Sequence, residues 1–355
     1  MSPRDGHLQG GRFTAYLASA FVYALPLIKK ISMSDDLFAR IMDAHWAIRP
    51  QVAVTPLSYS PDLSKLTGCE VYLKCEHLQH TGSFKFRGAW NKVRLLDAAA
   101  REAGILAVSS GNHGQGVALA GKLAEVPVTV FTTTAASPVK LDAIRALGAT
   151  VVTIDDASLA VELEAARQAQ LTGMTFVSPY NDIDVIAGQG TIGMELDGQA
   201  RERGLDLSAV FVSVGGGGLI SGVGTVLRKL RPSTAVTGCW PANSTALYRC
   251  LKAGRIVESE ELDTISDGTA GGIDPDTITF GISQQVITDT ALVTEEEIRV
   301  AMKRIAQTDG WMVEGAAGVA LATLLRKAPK YQGRAVAVVL CGRNISLEKF
   351  IGAVK

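Results

Sequence analysis

The chain has 355 residues, 47% of them hydrophobic and 20% charged, with 35 basic residues balanced by 35 acidic ones. That length accommodates two domains, or one domain with a large insertion. Zero net charge without a basic face argues against nucleic acid as a partner, and five widely spaced cysteines without a CxxC point away from a disulfide framework or zinc site and toward a reducing, cytoplasmic compartment.

In chain order, the first segment is an apolar run at 13–28, flanked by Arg12 and by Lys29 and Lys30. It is short for a membrane span, and no small-residue cleavage site follows it, so residues 1–33 are expected to be an extension and no membrane partner is expected. The sequence from Met33 onward predicts an amphipathic helix with Leu37, Ile41, Ala44 and Ile48 on its apolar face. A strand at 70–74 then leads into Thr81-Gly82-Ser83-Phe84-Lys85-Phe86-Arg87-Gly88. Taken alone, the stretch reads first as an amphipathic helix start whose lysine snorkels to water. Held between two aromatics, the same lysine would be partly desolvated, which lowers its pKa toward the neutral amine that a Schiff-base lysine needs, and the rest of the chain decides between the two.

Strands at 105–109, 127–131, 150–154 and 175–178 alternate with helices at 114–125, 137–147 and 158–171. This is the pattern of a small parallel α/β unit. The first of these strands is followed by Ser109-Ser110-Gly111-Asn112-His113-Gly114-Gln115-Gly116. Backbone amides at such a helix start form an anion site that suits an amino-acid carboxylate. A second α/β region has a helix at 188–203, a strand at 209–214, the run Gly215-Gly216-Gly217-Gly218 and a helix at 219–231. Four consecutive glycines are entropically costly unless something must approach the backbone closely. The run is neither GxGxxG nor a P-loop, so it fits one phosphate better than a dinucleotide. A strand at 235–239, helices at 294–308 and 315–326 and an apolar strand at 335–341 complete the pattern. The last strand ends in Cys341-Gly342-Arg343-Asn344, which taken alone reads as a helix-entry turn. The smaller unit (104–181) is expected as an insertion in a larger one (34–103 plus 182–355). A lysine, an anion nest and a phosphate nest at three strand ends call for a cofactor with one phosphate and an aldehyde, pyridoxal 5′-phosphate.

SFKFRG, SSGNHGQG, Val185–Thr191 (VIAGQGT), GGGG and CGRN occur in the order seen in fold-type II pyridoxal-phosphate enzymes. The chain resembles the threonine/serine dehydratases and serine racemases over roughly residues 50–350. The resemblance implies the tryptophan synthase β-like α/β fold, a homodimer and a small amino-acid substrate. It implies Lys85 as the Schiff-base lysine and Phe84 as the residue packed against the pyridine ring. It implies Asn112 at the ring 3′-oxygen, Gly215, Gly216, Gly217, Gly218 and Leu219 as the phosphate loop, and Cys341 facing the pyridine nitrogen in place of the usual serine. Ser109, Gly111 and His113 fall in the substrate-carboxylate loop. Ser110 stands where racemases of the family carry their second acid/base, whereas many threonine dehydratases have alanine.

Two positions depart from the family's divalent-cation site. Trp240 and Ala246 stand where its acidic residues would be, and neither offers a side-chain oxygen to a hard cation, so no metal is expected. A thiol at Cys341 leaves the pyridine nitrogen largely unprotonated, which favours β-elimination. The expected reaction is therefore dehydration of a threonine- or serine-like hydroxy amino acid to a 2-oxo acid and ammonia. The Asp267–Gly272 segment and CGRN also resemble the dehydratase of hydroxyectoine utilization, which implies a hydroxylated diamino acid substrate. Two alternatives stand beside the lyase: a racemase using Lys85 and Ser110, and a non-catalytic cofactor-binding protein.

Overall fold

The computed structural model describes residues 33–156 and 158–355. The apolar run at 13–28 and the expected extension lie outside the described residues, apart from Met33. Two sheets organise the described chain. The larger contains β1 (Leu57–Tyr59), β2 (Glu70–Lys74), β7 (Leu207–Ser213), β8 (Ala235–Pro241), β9 (Asp289–Val293) and β10 (Ala335–Val339) in the order β1-β2-β10-β7-β8-β9. Every pairing in it is parallel except β1 with β2. The smaller contains β3 (Ile105–Val108), β4 (Val128–Thr133), β5 (Thr150–Ile154) and β6 (Thr175–Phe176), all parallel, in the order β5-β4-β3-β6. β10 reads AVAVV and every residue of it is buried, as a central parallel strand covered on both faces requires.

Local signals explain where the helices begin. Asp182 accepts from the amides of Asp184 and Val185 and opens the helix Ile183–Glu202. Thr294 and Glu297 form a reciprocal capping box for Glu295–Thr308. The helix Met33–Ala47 buries Leu37, Ile41 and Ala44 completely, with Ile48 just beyond it, as its spacing predicts. The VIAGQGT segment lies inside Ile183–Glu202 and packs against the helix Lys85–Arg94. A Cβ at Gly188 would lie 2.6 Å from the Arg87 carbonyl oxygen, so glycine permits this close crossing.

Beneath the lysine helix lies a buried ion network. Arg87 donates to Glu76 (Nε to Oε2, 2.7 Å) and to Glu195 (NH1 to Oε1, 2.7 Å). Lys74 Nζ donates to Glu195 Oε2 at 2.6 Å and to the Thr55 carbonyl at 2.6 Å. Thr55 donates through its hydroxyl to Glu76. Two cations and two carboxylates thus neutralise one another inside the protein, joining β2 to the helices Lys85–Arg94 and Ile183–Glu202.

Candidate active site

Lys85 is the first residue of its helix. Its Nζ donates to the Pro179 carbonyl at 2.8 Å and sits 5.3 Å from the centre of the Phe84 ring. Burial pulls the ammonium down to about 8, against the opposing pull of Cys341 and Glu314. The expected aromatic sandwich is only half right. Phe86 is fully buried in the small-sheet core, beside His80 and Trp90, so Phe84 alone provides an aromatic face to the amine.

The lysine loop is stitched to the turn after β10. The Phe84 amide donates to the Cys341 carbonyl at 3.1 Å, and Ser83 bridges to Gly342. Cys341 is buried, and burial together with Glu314 holds its thiol well above the usual range, so it stays neutral. A lysine and a thiol 256 positions apart in sequence are thereby brought to one place.

The loop after β3 forms another part of the cavity wall. The Gly111 amide donates to Ser109 Oγ at 3.1 Å, which holds the turn ahead of the helix Asn112–Ala124. Ser109, Ser110 and Gly111 line the cavity and are half-buried. His113 is committed elsewhere: its Nε2 lies 2.7 Å from the Val177 carbonyl. Burial, reinforced by Lys85, pushes its pKa down to about 3, so the ring is neutral and ties the loop to the end of β6. The Asn112 carboxamide is gripped on both sides. Nδ2 donates to Glu314 at 2.8 and 3.1 Å, and Oδ1 accepts from Asn344 Nδ2 at 2.6 Å.

Glu314 is the residue that sequence reasoning missed. It stands at the position just before the helix Gly315–Lys327, without a side-chain capping bond, and is almost completely buried, and burial raises its carboxyl to about 7. Gly342 makes room for it, because a Cβ there would lie 2.3 Å from Glu314 Oε1. The one signal in the sequence was a lone acid ahead of a small-residue helix start. Asn344, quoted in CGRN without a role, links Asn112 to the Thr81 carbonyl at 2.8 Å.

The glycine run leaves β7 and enters the helix Gly218–Leu230. Gly217 has φ 88°, a conformation that favours glycine, and a Cβ at Gly216 would lie 2.3 Å from the Tyr180 ring. The amides of Gly215, Gly216 and Gly217 donate to no backbone carbonyl among the described residues. With the first-turn amides of Gly218 and Leu219, they make a row of donors suited to an anion such as a phosphate. The loop is held by Thr279 Oγ1, which donates to the Gly216 carbonyl at 2.7 Å.

Lys85, Ser110, Asn112, Cys341 and the loop from Gly215 to Leu219 all border one cavity of about 1930 Å³. A partly neutral amine and a phosphate nest in one cavity are what a phosphate-bearing aldehyde requires, so the residues present fit pyridoxal phosphate. Lys85 would hold its aldehyde carbon and the glycine loop its phosphate. Phe84, Asn112 and Cys341 would border its ring.

Comparison with known proteins agrees with this geometry. The chain is 39% identical over 307 residues to an L-threonine ammonia-lyase of Thermotoga maritima, covering 86% of this chain and 75% of that protein. It is 37% identical over 301 residues to an L-threo-3-hydroxyaspartate ammonia-lyase of a Pseudomonas species, covering 85% and 93%. Serine racemase from Dictyostelium discoideum has a similar solved structure, with a TM-score of 0.80 and 33% identity over 87% of this chain and 98% of that one. The family model for pyridoxal-phosphate dependent enzymes matches residues 48–342, from just after the helix Met33–Ala47 to the turn that carries Cys341, and the chain belongs to that family.

Proposed function

We propose that the chain dehydrates a small β-hydroxy amino acid, releasing a 2-oxo acid and ammonia. The observation that carries this reading is the Lys85 amine, held near its point of deprotonation in the cavity that also contains the phosphate nest. When bound, the cofactor supplies an electron sink for the substrate α-carbon. Lys85 then acts as the base at the α-proton, since an amine with a pKa near 8 is partly neutral at physiological pH. The pair released from the Cα–H bond becomes a Cα=Cβ bond, the β-hydroxyl leaves with its C–O pair and takes up the proton to become water, and the released enamine tautomerises to an imine that a second water hydrolyses to the 2-oxo acid and ammonia. The loop amides around Ser109 and Gly111 receive the substrate carboxylate. The neutral Cys341 thiol provides no strong acid at the ring nitrogen, which favours loss of the β-substituent.

Substrates consistent with this reading are serine, threonine, 3-hydroxyaspartate and hydroxylated diamino acids, the last following from the resemblance to hydroxyectoine-utilization dehydratases. The reading includes a cytoplasmic homodimer. Its five cysteines are free and buried, as suits a reducing compartment.

Lys85→Ala is expected to abolish the visible absorbance of the lysine-bound cofactor and to lower turnover at least about 10²–10⁴-fold, the usual contribution of a positioned acid/base. Persistence of ammonia release in that variant would sink the reading, and turnover in the parent enzyme excludes a non-catalytic binding protein. Ser110 favours racemisation as a second activity. Chiral analysis of residual substrate should show that Ser110→Ala loses racemisation and retains elimination from one enantiomer.

A further inference from the structure

Lys140, Lys349 and Arg343, all outside the lysine loop, border the cavity. Lys140, on the helix Pro138–Ala146, and Lys349, on the helix Leu347–Val354, both reach Asp267 Oδ2, at 3.2 and 3.8 Å. One carboxylate is thus shared by two ammonium groups. Arg343, on the turn after β10, also borders the cavity and is exposed. Among the described residues its guanidinium has neither an ion pair nor a hydrogen bond. Its backbone, in contrast, is fixed. The Arg343 amide donates to the Gly82 carbonyl at 2.9 Å, and its carbonyl accepts from Ile345 at 2.8 Å. The next residue, Asn344, is locked to Asn112 and Thr81. A rigid stem therefore presents a free planar cation at the edge of the reaction cavity.

Several acids along the cavity wall are engaged elsewhere. Glu314 accepts from Asn112, and Glu295 accepts from Thr264 Oγ1 and the Ile265 amide. Asp274 accepts from Asn181 and faces Glu162, whose carboxyl is raised by burial and by that neighbour. Among the described residues, no carboxylate is paired with Arg343.

We propose that Arg343 forms a subsite for a second carboxylate on the substrate. The preferred hydroxy amino acid is then a 3-hydroxyaspartate. This rests on the dehydratase reading and narrows it. A guanidinium matches a carboxylate with two parallel N–H donors, whereas the ammonium of a diamino acid would be repelled by it. Serine and threonine have no group for the guanidinium to bind.

The test is steady-state release of 2-oxo acid and ammonia by the holoenzyme with 3-hydroxyaspartate, serine, threonine and a hydroxylated 2,4-diaminobutyrate. The kcat/KM for 3-hydroxyaspartate should exceed each of the others by at least about 10-fold, as a charge-assisted contact of a few hydrogen bonds allows. Arg343→Ala should lower that value by about 10–100-fold, mainly through KM, while the value for serine moves by less than about 3-fold. Arg343→Lys should recover part of the loss, because it retains the charge without the fork. In the unmodified enzyme, KM for 3-hydroxyaspartate should rise with ionic strength more steeply than KM for serine. Preference for serine, threonine or the diamino acid, or equal losses for 3-hydroxyaspartate and serine in Arg343→Ala, would overturn the subsite. Absence of ammonia release from all four would instead overturn the dehydratase reading on which it rests.

Discussion

At Lys85, desolvation, one aromatic face and one carbonyl acceptor combine to move an ammonium from its ordinary 10.5 to about 8. Only the neutral amine can attack an aldehyde, so covalent attachment of cofactor to apoprotein should accelerate as pH rises, with a midpoint near 8 instead of 10.5. Absorbance-monitored reconstitution between pH 6.5 and 9.5 would check this, and a flat profile across that range would contradict the assigned environment. Lys85 and the four glycines were legible in the sequence because their backbone surroundings demand particular residues. Glu314 was not, since its partner Asn112 lies 202 positions away and no local pattern links them. Phe86 was misread for a related reason: sequence proximity to Lys85 does not say which way a helical side chain points.

Among the elements, β8 and the helix after it carry the departure from the family's cation site. Trp240 is buried near the end of β8 with its ring 5.5 Å from that of Tyr248, and a Cβ at Gly238 would lie 2.5 Å from the indole. Ala246 opens the helix Ala246–Ala253 and is buried. We propose that an indole and a methyl in these places withhold the hard side-chain oxygens a divalent cation needs. Activity and melting temperature should therefore be unchanged by EDTA, or by added magnesium or calcium, and a reversible loss on chelation would refute this. Long apolar strands such as β10 were visible from periodicity. β1, with three residues, and β9, a partly exposed edge strand, were not, because neither is long or apolar enough to stand out from its flanks.

Across the whole molecule, the network of Lys74, Glu76, Arg87 and Glu195 secures the helix that carries the lysine to the larger sheet. All four side chains are buried, so deleting one leaves an opposite charge uncompensated. Glu195→Gln should destabilise the protein by roughly 3–5 kcal/mol, measurable as a lower denaturant midpoint, and a change below about 1 kcal/mol would show that the network is dispensable. The strand order has a consequence in time. β10 lies between β2 and β7 in space but follows both in the chain. On the ribosome, the larger sheet stays split into two unjoined parts until residues 335–339 emerge. The Cys341 turn that stitches the lysine loop comes later still, so the backbone around Lys85 cannot take its final form until that turn has been made.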